Sequence, residues 1–218
     1  MSQPRMFSKR AFRALMIGIG YGICGWDASI GWAKTDLERG QAVAAQVCAA
    51  CHQNDGRGAS GVAPKLAAQH AQYLYKQLTD YKTKPNETAP ERSSTVMAGF
   101  AAALSDQDMQ NVAAYFAAQP ALTAFAHHPE EVALGRKIWR RGIPERGVPA
   151  CAACHGATGA GIPVQYPRLA GQWQDDTIEQ LKAFQSGARH NHPAMQAIAK
   201  RLLEPEIRAV ADYIAGLR

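Results

Sequence analysis

Apolar side chains recur along this chain at helical spacing, and no stretch alternates long enough to make a convincing strand. Met109, Val112 and Phe116 share one face of a segment that begins at Ser105 and stops before Pro120. Near the C-terminus Ile207, Val210, Ala211, Ile214 and Leu217 repeat the pattern. A middle helix is marked by Tyr73, Leu74, Gln77 and Leu78, and a second by Thr177, Ile178, Leu181 and Phe184. Upstream, "TDLERGQAVAAQVC" opens with Thr35-x-x-Glu38, the spacing of a capping box. The expected fold class is therefore all-α. Gly40 and Gly135 fall inside helical segments, where glycine costs about 1 kcal/mol relative to alanine. A close crossing of the first helix over the last would compensate, with Tyr115 and Tyr213 as the packing partners.

These elements come in two sets. "PKLAAQ" at Pro64–Gln69 returns as "PRLAGQ" at Pro167–Gln172, 103 positions later, and Gln77-Leu78 returns as Gln180-Leu181. The offset then drops to 98, which matches Leu104, Val112 and Tyr115 to Leu202, Val210 and Tyr213. The second copy has lost residues in the loop before its methionine and gained some ahead of "CAACH", where "GIPERGVPA" is placed to shape an interface. Two repeats of this size make two domains, since a solenoid would need at least three shorter units. The expected division is 1–33 leader, 34–121 first domain and 122–218 second domain. A linker from about Pro120 to Pro129, rich in proline and without period, joins them.

Each copy carries the pentapeptide CAACH, at Cys48–His52 and Cys151–His155. Two cysteines three apart on a helical turn reach both vinyl groups of a haem edge, and the next histidine points its ring at the iron. A thioredoxin-like redox pair would need a βαβ context that is missing. A zinc site built from both CxxC pairs would leave the repeated histidines without a role. The reading is two covalently bound haem c groups on Cys48, Cys51, Cys151 and Cys154, with His52 and His155 as iron ligands. The second axial ligand is expected downstream on a loop. Met97 and Met195 share the 98-residue offset and are assigned that role. Met109 belongs to an amphipathic helix and is expected in the core. His190 and His192 lie near Met195, but the first copy has no histidine near Met97. His70, His127 and His128 lack counterparts and are read as surface or linker residues.

Composition changes the picture in two ways. The chain of 218 residues carries 24 Lys+Arg and 18 Asp+Glu. Arg5, Lys9, Arg10 and Arg13 against Asp27 alone precede residue 34, leaving 20 basic and 17 acidic residues, too slight an excess to argue for nucleic acid. That basic start, the apolar stretch Ala14–Trp26 and small residues near Ala33 read as a secretory signal that takes Cys24 with it. The protein is therefore expected in the periplasm, with peripheral membrane association left open. Arg136, Lys137, Arg140, Arg141 and Arg146 form a basic cluster, read as a solvated helix face.

With CAACH twice, "PKLAAQHAQYL" with "PRLAGQ", "LSDQDMQNVAAYF" and "GVPACAACHG", the chain resembles class I cytochrome c domains in tandem. Over about Asp36 to Leu217 it is similar to the two-haem cytochrome c4 family. The resemblance implies two domains related by pseudo-twofold symmetry, with haem edges and propionates facing across the interface. It implies an electron carrier, not an enzyme, that takes electrons from an upstream reductase or dehydrogenase and feeds a terminal oxidase. It also implies that the backbone carbonyls of Pro64 and Pro167 accept hydrogen bonds from His52 and His155. Gln53 for Gly156 and Ala68 for Gly171 are departures of the first copy from the second. Two alternatives stay open: a cytochrome subunit of a sulfide- or alcohol-oxidising dehydrogenase, and a two-haem peroxidase.

Overall fold

The computed structural model describes residues 34–218, which belong to one compact unit. The segment read as a secretory signal, with Cys24, lies outside the described residues. The protein is all-α. Isolated bridges are the only β pairing among the described residues. The first repeat contains α1 (Leu37–Val43), a π-type turn (Ala44–Cys48), α2 (Ala49–His52), α3 (Ala71–Asp80), α4 (Thr95–Ala103) and α5 (Asp106–Ala117). The second contains α6 (Pro129–Arg141), α7 (Ala152–His155), α8 (Gln174–Ser186), α9 (Pro193–Ala199) and α10 (Glu204–Ala215). No described helix is long and apolar enough to cross a membrane.

The periodic faces predicted from the sequence are the buried ones. Val43, Leu74, Met109, Val112 and Phe116 form the first core, and Ile138, Trp139, Leu181, Phe184, Ile207 and Val210 belong to the second. Met109 is a core residue, as expected. In each repeat the first helix packs on the last, α1 on α5 and α6 on α10. The glycines make that crossing close. A Cβ added to Gly40 would lie 2.3 Å from the Asn111 carbonyl oxygen and 2.9 Å from Tyr115 Cβ. On Gly135 it would lie 2.1 Å from the Ala209 oxygen and 2.7 Å from Tyr213 Cβ.

Helix starts follow side-chain chemistry. Ser105 caps α5 by accepting from Asp108 N at 3.0 Å. At α1 the capping residue is Asp36, one position after the expected Thr35; its carboxylate accepts from Arg39 N at 2.9 Å. The segment between Gly142 and Ala150 also departs from expectation. Ile143 bridges Val148, which is buried in the second core, and Arg146 pairs with Glu206 of α10. It braces its own repeat. The pairing also withdraws Arg146 from the basic cluster, while Arg136, Lys137, Arg140 and Arg141 remain exposed on α6.

The two repeats meet through equivalent residues. Gln69 donates to the Arg168 oxygen at 2.9 Å and accepts from Arg168 N at 2.9 Å. Its counterpart Gln172 donates to the Lys65 oxygen at 3.0 Å and accepts from Lys65 N at 2.9 Å. Each glutamine thus grips the backbone of the residue equivalent to its own neighbour, which is the reciprocity of a twofold axis. Lys65 adds a bond from Nζ to the Gly171 oxygen at 2.6 Å and lies over the Trp173 ring.

Candidate haem-binding sites

The helical turn at Cys48–His52 follows directly from the π-type turn after α1, so helix and motif are one continuous stretch. Past His52 the chain doubles back. Gly58, at φ +65°, turns it so tightly that a Cβ there would lie 2.4 Å from the Pro64 oxygen. The returning strand of chain brings that oxygen to 3.1 Å from His52 Nδ1. A carbonyl only accepts, so Nδ1 carries the proton and Nε2 keeps its lone pair. Burial lowers the pKa of His52 and favours the neutral ring, with the Pro64 bond acting in the opposite direction. A buried, neutral imidazole oriented through its other nitrogen is the form that binds a metal.

The second copy repeats this arrangement. His155 Nδ1 lies 3.0 Å from the Pro167 oxygen, and burial likewise favours the neutral ring. Gly161, at φ +78°, supplies the equivalent tight turn beside the Tyr166 oxygen. Burial pushes the Cys48 and Cys151 thiols up to about 11, away from the reactive thiolate expected of a redox pair. None of the four described cysteines forms a disulfide. Among the described residues no three His, Cys, Asp or Glu side chains converge on a common metal position, so the cysteines do not form a shared zinc site.

The methionines sit on short helices and not on loops. Met97 is in the first turn of α4, where Ser94 Oγ accepts from its N–H at 3.2 Å. Met195 is in the first turn of α9, where His192 Nδ1 accepts from its N–H at 3.4 Å. That capping role occupies His192 Nδ1, and His190 is exposed with its own Nδ1 at 3.1 Å from the Gly187 oxygen. Met97 lines a cavity of about 390 Å³ together with Cys48, Cys51 and His52, and Leu74, Val112 and Phe116 give it an apolar wall. This donor set, two thiols beside a neutral imidazole and a thioether in an apolar chamber, fits a covalently attached haem. In the second repeat Met195 and Cys151 pack against the same core.

Comparison with known proteins places both halves. A "Cytochrome c" family model matches residues 37–120, and a model described as "Cytochrome C oxidase, cbb3-type, subunit III" matches 130–214. A cytochrome c4 from Thiocapsa roseopersicina is 41% identical over 186 residues, covering 84% of this chain and 93% of that one. This chain belongs to the cytochrome c4 family. The crystal structure of reduced recombinant cytochrome c4 from Pseudomonas stutzeri agrees at a TM-score of 0.77 and 35% identity, covering 84% of this chain and all of that one. A "thiosulfate dehydrogenase electron acceptor" from Stutzerimonas stutzeri is 39% identical, covering 84% of this chain and 85% of that one. The protein is a dihaem, c-type electron-transfer protein with a haem on each cysteine pair.

The first cavity is closed by residues of both repeats. Gln180, Ala183 and Arg189 of the second repeat line it beside Tyr73, Gln77 and Arg92 of the first. The sequence singled out neither arginine. The available signal was an arginine in each repeat shortly before the methionine, but the two are 97 positions apart and miss the 98-residue register by one.

Proposed function

We propose that His52 with Met97, and His155 with Met195, are the axial iron ligands of a two-haem relay that carries single electrons through the periplasm to a terminal oxidase. The observation that carries this reading is the shared cavity, in which Met97 and His52 stand with Cys48 and Cys51. When bound, each haem supplies one-electron exchange between ferrous and ferric iron. The residues do the rest. Pro64 and Pro167 fix the imidazole orientation, the thioether sulfurs favour the reduced state, and the apolar wall disfavours added charge. With His52 and Met97, and His155 and Met195, holding the two irons, no position would be left for peroxide, which speaks for a carrier over an enzyme. Closure of the first cavity by Gln180 and Arg189 supports passage of electrons between the halves.

A second reading is an electron-accepting subunit that docks a dehydrogenase, and the thiosulfate dehydrogenase electron acceptor among the relatives favours it. The test of ligation is the weak sulfur-to-iron absorption at the red end of the oxidised spectrum. Met97→Ala should remove about half of it while the protein mass still shows two haem additions. An unchanged band would refute the assignment of Met97. Stable co-purification with a dehydrogenase would decide for the second reading.

A further inference from the structure

The outer face of α6 carries charge that nothing answers. Arg136, Lys137, Arg140 and Arg141 are all exposed, and with Ala133 they line a groove of about 380 Å³. None of the four side chains has an ion-pair partner among the described residues. The carboxylates of the same helix face other groups, Glu131 the Arg208 guanidinium and Glu130 the His128 ring, each at 3.6 Å. Like charges four apart on a helix repel, here Arg136 with Arg140 and Lys137 with Arg141. The helix dipole favours Arg140 and Arg141 in the last turn, but gives Arg136 and Lys137 nothing. A face that only keeps a protein soluble intersperses both signs.

The first repeat has no such face. Counted from the paired glycines Gly40 and Gly135, the four cations stand where the first repeat carries Gln41, Ala42, Ala45 and Gln46. Trp139 stands where it has Ala44. That indole is fully buried on the inner side of α6, with its ring centroid 6.5 Å from that of His155. Its Nε1 donates to the Ala157 oxygen at 3.1 Å, two residues past the histidine. Trp139 thus links the helix that carries the charge to the histidine of the second haem site.

We propose that this face of α6 is the docking surface for an acidic redox protein that exchanges single electrons with the second haem. The proposal rests on the carrier reading and names the kind of partner which that reading requires. Each exchange oxidises one centre by one electron and reduces the other by one, and no bond forms or breaks. Cations on a docking rim speed encounter with an acidic partner, an effect that salt screens. Anionic lipid would meet the same charge, but it has no use for contact with a haem ligand.

The test mixes ferric holoprotein with reduced plant-type ferredoxin, an acidic one-electron iron–sulfur protein, and follows haem reduction by absorption at low and high salt, with haem content read from the protein mass. The native rate should fall as salt rises. Arg136→Gln with Arg140→Gln should slow the bimolecular step about tenfold at low salt and flatten its salt dependence. Arg39→Gln with Lys84→Gln removes the same charge from the first repeat and should leave the rate within about twofold. A native rate indifferent to salt, or an unchanged rate in the α6 pair, would overturn the proposal. An equal fall in both pairs would overturn it too, since net charge alone would then be acting. If the α6 pair kept its rate but lost binding to phosphatidylglycerol vesicles, the face would belong to a membrane. A native protein whose haems small redox mediators cannot reversibly reduce and reoxidise would instead overturn the carrier reading.

Discussion

Alanine at Gly135 separates helix propensity from packing in a single substitution. In an isolated helix the change would stabilise by about 1 kcal/mol. Here the new Cβ would stand 2.1 Å from a backbone oxygen of α10, whereas ordinary contact begins at 3.4 Å. The obstacle is main chain and cannot rotate away, so α6 must lift from α10 by about 1 Å. That lift opens the packing of Ile138 and Trp139 against Ile207 and Val210. Overpacking of this kind costs about 1–3 kcal/mol, and a backbone obstacle belongs at the upper end. The net expectation is a loss of about 2 kcal/mol, or a fall in Tm of about 4–8 °C for a chain of this size. Far-ultraviolet circular dichroism of the oxidised holoprotein would measure it. Gly40→Ala should behave alike, since its Cβ would meet Asn111 at 2.3 Å. Gly99, on α4 two residues from Met97 and so on another face, has nothing within 4 Å, and Gly99→Ala should raise Tm. If Gly135→Ala matched the native Tm, or Gly99→Ala lowered it as far, the crossing argument would be wrong.

Ala68 holds a left-handed φ of +56° where the second repeat has Gly171 at +74°. An L side chain pays roughly 1–2 kcal/mol there, so Ala68→Gly should stabilise by about 0.5–1 kcal/mol after the entropy that glycine adds to the unfolded chain, visible as a higher Tm. Met109, 3% exposed in the first core, should cost about 2–5 kcal/mol when truncated to alanine, with the red-end absorption band intact. Loss of that band would make Met109, and not Met97, the sulfur ligand.

The periodic helices and the haem pentapeptide were legible in the sequence because both are local patterns. α5 and α10 announce themselves through apolar residues three and four apart, and CAACH needs only five positions. The helices bearing the methionines were hidden for the opposite reason. "TVMAGFAAA" is apolar on nearly every side and shows no face, and "PAMQAIA" spans only seven residues. Thr35 looked like a cap because the Ser/Thr-x-x-Glu spacing fits it, yet Asp36 is the residue whose carboxylate accepts Arg39 N. The arginine pair was beyond any local reading. Several of its bonds join residues from opposite halves of the chain, and the flanking stretches "PERSSTVM" and "GARHNHPAM" share little besides the arginine and the methionine, which fall one position out of register.

The reciprocal glutamine clasp has a consequence for how far the two halves can differ. Every bond in it runs from a glutamine side chain to backbone groups of the opposing repeat, so the identity of the gripped residue is immaterial: Lys65 on one side, Arg168 on the other. Two identical single-haem chains would satisfy the clasp as completely as these two unequal halves do. The clasp asks of its two halves only what a homodimer asks of its protomers, and residues 118–128 join those halves in one chain. The gripped positions can therefore differ in side chain between the halves, as Lys65 and Arg168 do, while both halves keep the glutamine that grips.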